Sequence, residues 1–70
     1  MKIYLVAIAK EYGFNILEYT YDTLEEAMER FEKYNDFYFR ALVEVKYSSR
    51  RTNRKLIKKF IDGKEVIKIW

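Results

Sequence analysis

One stretch constrains what this chain can fold into: Thr23 to Asn35, T-L-E-E-A-M-E-R-F-E-K-Y-N, the only segment with an unambiguous helical pattern. Leu24, Ala27, Met28, Phe31 and Tyr34 recur at spacings of three and four, which places them on one stripe. Thr23 and Glu26 have the form of a capping box, in which hydroxyl and carboxylate each satisfy a free N–H of the first turn. Glu25 and Glu26 at the start and Lys33 near the end suit the helix dipole. Asn35 is expected to end the helix in a left-handed conformation. The segments around this helix read as strands, and a lone sheet needs something laid across its apolar face.

The strands follow in order. Lys2 to Lys10 is apolar on both alternating sets, Ile3, Leu5, Ala7 and Ala9 on one side and Tyr4, Val6 and Ile8 on the other, as in a central strand covered on two faces. Glu11-Tyr12-Gly13 reads as a turn and Phe14 to Tyr21 as a second strand, antiparallel to the first. Phe37 to Tyr47 alternates cleanly. Phe37, Phe39, Ala41, Val43, Val45 and Tyr47 form its apolar face, and Tyr38, Arg40, Leu42, Glu44 and Lys46 a face expected to be largely wet. Ser48 to Asn53 is a polar loop. Arg54 to Ile61 carries two competing signals. Leu56, Ile57, Phe60 and Ile61 have helical spacing, whereas Asp62-Gly63 between apolar runs marks a hairpin. The hairpin is preferred because Lys64 to Trp70 is strand-like and needs a partner; a bulge near Lys58-Lys59 then explains the broken alternation. The predicted fold is α+β: residues 1–70 as one domain, a four- to five-stranded antiparallel sheet in the order β-β-α-β-β-β, with one amphipathic helix on one face.

Seventy residues make a thin core. The chain has no cysteine and no histidine, which removes disulfides, Cys-based metal sites and the commonest general base. No Gly-rich phosphate loop, nucleophile–base pair or metal-ligand spacing is found, and Asp36 and Asp62 read as turn residues. The expectation is therefore a non-enzymatic protein with no catalytic residues, no metal and no cofactor. No apolar run is long enough to span a membrane and no secretory signal is visible, so the expected compartment is the cytoplasm.

Charge is the most informative global feature. Net charge is +3, but residues 1–45 carry five basic and nine acidic side chains, and residues 46–70 nine basic and two acidic. The basic stretch Lys46, Arg50, Arg51, Arg54, Lys55, Lys58 and Lys59 contains no acid. It reads as an anion-binding patch for nucleic acid or an acidic protein surface; the competing reading is a solvated loop beside an edge strand guarded by lysines. Simple alternation puts Lys55 and Lys59 on one face and Lys58 on the other. The acidic outer face of the helix (Glu25, Glu26, Glu29, Glu32) reads first as a solvated surface and second as an acidic decoy. Tyr4, Val6, Ile8, Tyr38 and Leu42 are expected on the sheet face away from the helix, as an exposed apolar patch. Tyr4, Tyr38 and Trp70 are the candidate interface aromatics. A homodimer through the sheet face or an edge strand is one outcome and a foreign partner another.

In outline the chain resembles the small accessory proteins of phages and archaeal viruses, including some anti-CRISPR proteins, which also place one helix opening with a segment such as Thr23-Leu24-Glu25-Glu26-Ala27 on a four- or five-stranded antiparallel sheet. The resemblance implies an inhibitor that acts by binding a host protein or nucleoprotein complex in the host cytoplasm. Its contacts would be Arg50, Arg51, Arg54, Lys55, Lys58 and Lys59. Direct binding of nucleic acid is the alternative, and a self-associating structural subunit a third reading.

Overall fold

A computed structural model describes residues 1–13 and 15–67. The elements are β1 (Lys2–Ala9), β2 (Leu17–Tyr21), α1 (Leu24–Lys33), β3 (Phe39–Tyr47), β4 (Thr52–Ile61) and β5 (Lys64–Glu65). They form one antiparallel sheet in the order β2-β1-β3-β4-β5, with α1 across it. β2 and β3 flank β1, so the connection that contains α1 must cross over β1, and the helix comes to lie above the centre of the sheet.

That position explains why β1 lacks alternation. Leu5 to Ala9 are all buried. Val6 and Ile8 pack with Leu42, Ala27 and Phe31 beneath the helix. Leu5 and Ala7 pack with Ala41 and Val45 on the other face, joined by the half-buried Ile3, Phe39 and Val43. A central strand apolar on both sides is what this arrangement requires.

The helix begins as its sequence dictates. Thr23 is extended (φ −124°, ψ 151°), and its hydroxyl oxygen accepts from the Glu26 N–H at 3.2 Å. The return contact differs from a full capping box: Glu26 Oε1 accepts from the Thr23 hydroxyl at 3.4 Å. The other end corrects the expectation for Asn35. The cap is Tyr34 (φ −94°, ψ 32°), whose N–H meets the Phe31 carbonyl at 3.3 Å. The Phe37 N–H then bonds the Tyr34 carbonyl at 3.0 Å, so a second turn replaces the left-handed stop. Among the described residues, the only non-glycine with positive φ is Asp62 (53°). With Gly63 (φ 78°) it makes the two-residue hairpin turn that Asp-Gly predicts, between Ile61 and its partner Lys64. The hairpin, not the helix, is therefore the state of 54–61.

Several boundaries shift. β2 starts at Leu17 instead of residue 14, and Phe14 lies outside the described residues. β3 runs from Phe39 instead of Phe37, and ladder-like bonding reaches one residue further, to Tyr38, whose N–H donates to the Lys10 carbonyl at 3.1 Å. β4 already includes Thr52 and Asn53, which pair with Tyr47 and Lys46. β5 is two residues long, and residues 68–70 of the longer expected strand lie outside the described residues.

The larger correction concerns which face the helix covers. It covers the set expected to be wet or exposed: Tyr4, Val6, Ile8, Arg40 and Leu42. Val6 and Leu42 have no accessible surface, and Tyr4 is half-buried against the same cluster. The reason is Arg40. Its guanidinium lies between two rings, 4.4 Å from the centroid of Phe31 on α1 and 4.3 Å from that of Phe60 on β4. One of its N–H groups donates to the Phe31 carbonyl at 2.8 Å, and Glu32 stands at 3.9 Å. The carbonyls of a last helical turn lack partners within the helix and carry partial negative charge, so a buried cation is well matched there. Arg40 is 8% accessible, and no buried side-chain nitrogen or oxygen lacks a partner among the described residues.

Arg40→Ala should lower the free energy of unfolding by about 3 kcal/mol, since a desolvated cation–π contact and a charge-assisted hydrogen bond are each worth roughly 2 kcal/mol and partly overlap. Arg40→Met should recover part of the loss through packing alone. Urea melts of the two variants check this. Thr23→Ala, which removes the cap, should cost about 1 kcal/mol in the same assay.

Candidate anion-binding site

The basic segment runs from the last residues of β3 through a tight loop into β4. Ser48 makes the loop. Its N–H and hydroxyl both donate to the Arg51 carbonyl, at 3.0 and 3.1 Å, and its hydroxyl oxygen accepts from the Arg51 N–H at 3.2 Å. A serine closing such a turn with its own side chain is a local preference of this residue type. Arg50 and Arg51 are left on the exposed tip, where their planar forks are free to meet phosphate or carboxylate in pairs.

β4 then distributes the remaining cations over both faces of the sheet. Register decides which. Arg54 pairs with Val45, Lys55 with Glu44, Leu56 with Val43, Lys58 with Leu42 and Lys59 with Ala41. Ile57 is the extra residue of a bulge, one position before the expected Lys58-Lys59. Inserting one residue shifts the alternation by one step, and directly paired residues share a face. Lys55 and Lys58 therefore stand on the helix side, and Arg54 and Lys59 on the other. This replaces the simple alternation that grouped Lys55 with Lys59. The bulge also turns Ile57 into the cluster beneath the helix. Lys59 stands with its ammonium 5.9 Å from the Phe39 ring centroid.

Beyond β4 the sheet nearly stops. β5 pairs only with Phe60 and Ile61, and the Val66 N–H reaches the Lys59 carbonyl at 2.8 Å. From Thr52 to Lys58, β4 is thus a free edge among the described residues, with cations on either side of it. Between this edge and residues 65–67 lies a cleft of about 530 Å³, lined by Arg54, Leu56, Lys58, Lys59, Glu65 and Ile67 among others.

The topology adds one cation that the sequence does not place, Lys2. β1 is antiparallel to β3, which sets Lys2 opposite Lys46 and Tyr4 opposite Glu44. Glu44 is bridged by Lys2 at 3.7 Å and by Lys46 at 3.9 Å, so these two are partly neutralised. Arg50, Arg51, Arg54, Lys55, Lys58 and Lys59 make no ion pair with the chain's own carboxylates among the described residues. Lys2 escaped the sequence reading because its place beside the basic loop depends on a strand pairing between residues more than forty positions apart.

Two of the candidate aromatics, Tyr4 and Tyr38, do not join this site. Tyr4 belongs to the cluster beneath the helix, and Tyr38 stacks edge-on against Tyr12 with ring centroids 5.7 Å apart. Trp70 lies outside the described residues. The helix's outer carboxylates sit elsewhere, with Glu29 paired to Lys33 at 3.6 Å. On the helix flank nearer β2, burial pushes the Tyr21 phenol above its ordinary value, against the lowering effect of Arg30. Among the described residues no three acidic groups come together as a metal-ligand set. No helix is long and apolar enough to cross a membrane.

Glu44 is the carboxylate that neutralises two cations of the basic end, Lys2 and Lys46, which gives a direct check. Glu44→Gln should strengthen binding of a polyanion such as heparin, measured by the salt needed to elute the protein. It should change stability by less than about 1 kcal/mol, because both of its ion pairs are at the surface. Comparison with protein-family models, curated proteins and solved structures finds no match to this chain.

Proposed function

We propose that this chain is a non-enzymatic binding module that docks on an anionic surface of a macromolecular partner, and that it acts as an inhibitor or modulator by occupying that surface. The observation that supports the reading is the free β4 edge and its loop: six cations, none paired with the chain's own acids among the described residues. A solvated edge needs one or two lysines to discourage pairing. Six, including two arginines on an ordered turn, exceed that need. Their distribution favours a partner that straddles the edge, touching Arg54 and Lys59 on one side and Lys55 and Lys58 on the other, with Arg50 and Arg51 at the end. The inhibitory action rests on the resemblance in outline to small viral proteins. Among the described residues a single exposed ring, Tyr47 at the base of the loop, stands near these cations; a single strand usually stacks on several, so protein and nucleoprotein partners fit the arrangement better.

The test uses polyglutamate, a DNA duplex and a single-stranded oligonucleotide as probes across a range of salt. The wild-type chain should bind polyanions with an affinity that falls steeply as salt rises. Arg50→Glu, Arg51→Glu and Arg54→Glu together should reduce binding to polyglutamate at least tenfold and flatten the duplex salt slope by up to about 3, close to 0.9 per lost phosphate contact. Unchanged affinity in the triple variant would remove the site from the account. Binding to the duplex alone, with none to polyglutamate, would replace the proposal with direct recognition of nucleic acid.

A further inference from the structure

The opposite edge of the sheet differs from β4 in kind. β2 (Leu17-Glu18-Tyr19-Thr20-Tyr21) pairs with β1 on one side only, and among the described residues no strand meets its outer edge. It is short and carries one charge, Glu18, but no lysine, no proline and no bulge in its pairing. Large apolar side chains crowd it. Ile16, Leu17 and Tyr19 are 55%, 54% and 43% accessible.

We propose that β2 is the seam of a homodimer, joined antiparallel to β2 of a second copy about a two-fold axis at Tyr19, so that two five-stranded sheets become one. The choice of a second copy follows from the strand's own pattern. A two-fold axis perpendicular to the sheet keeps both helices on the same face and pairs only residues of like orientation. Centred on Tyr19, the seam sets Tyr19 against Tyr19, Leu17 against Tyr21 and Glu18 against Thr20. Every pair is then apolar with apolar or polar with uncharged polar. Centring on Glu18 would oppose the two Glu18 carboxylates. Centring on Thr20 would bring Glu18 against Asp22. Directly opposed like charges destabilise a sheet, whereas aromatic pairs support it. Of the three registers, only the one at Tyr19 avoids the repulsion. The seam is independent of the basic edge, which lies three strands away.

Two measurements test the seam. Sedimentation equilibrium of the full chain should show a reversible monomer–dimer equilibrium. Thr20→Glu places a carboxylate opposite Glu18 twice per dimer and should raise the dissociation constant roughly tenfold. Combining it with Glu18→Lys turns both repulsions into attractions and should restore the wild-type value. Circular dichroism of each variant should match that of the wild-type chain, which separates loss of the seam from loss of the fold. Because the chain has no cysteine, a single Tyr19→Cys thiol can link only to its copy. Opposed residues in an antiparallel pair stand about 4.5 to 5.5 Å apart at Cα, within disulfide reach. Mild oxidation should therefore give a covalent dimer. Tyr21→Cys should not, since two Tyr21 residues would be about 13 Å apart along the strands. A monomer at every concentration would overturn the proposal. So would a dimer indifferent to Thr20→Glu, or equal cross-linking from both cysteine variants.

Discussion

A guanidinium held between two phenyl rings organises this small domain. Arg40 joins three elements at one point: the last turn of α1 through the Phe31 carbonyl and ring, β3 through its own backbone, and β4 through Phe60. Packed apolar side chains alone do not fix the orientation of a single helix on a sheet, because greasy contacts are tolerant of rotation and sliding. A directional donor aimed at a helix C-terminus is not tolerant. It also decides which face of the sheet is covered, against the simpler count of apolar residues. The cost of burying the charge is offset because the cation exchanges water for a carbonyl, two π faces and a nearby carboxylate.

Much of the fold could be read from residue order. The helix cap at Thr23, the two-sided burial of β1 and the Asp62-Gly63 turn each follow from local chemistry that acts within a few residues. Pattern reading failed at Arg40 and Leu42. Alternation along β3 is real, but it reports two faces without saying which one meets the helix. An arginine scores as solvent-facing in any such reading, and only the long-range meeting of Phe31 with Phe60 makes it an interior residue. The Asn35 stop failed for a related reason. Tyr34 and Phe37 stack with centroids 4.9 Å apart, and that contact shapes the turn after the helix more strongly than the preference of one asparagine.

The candidate site was legible as a composition but not as a shape. Seven cations between residues 46 and 59 are visible in the sequence; their distribution is not. Lys46 is drawn to Glu44, Arg50 and Arg51 are raised on a serine-closed turn, and the other four divide between the two faces of an edge strand. The polarity of the whole molecule is clearer in space than along the chain. One border of the sheet is densely cationic, and the other, at β2, is aromatic and nearly uncharged. Two borders so different present different chemistry to whatever approaches them.

The bulge at Ile57 has a consequence for how freely the basic edge can vary. A strand locked into unbroken pairing transmits any insertion or deletion along its whole length, inverting every side chain beyond the change. Here one supernumerary residue already separates the loop-proximal part of β4 from the part anchored by the hairpin. It works as an expansion joint. Lengthening or shortening the chain at that joint would re-aim Arg54 and Lys55 while Phe60, and with it the clasp on Arg40, stayed in place, so the basic edge can be remodelled without disturbing what holds the molecule together.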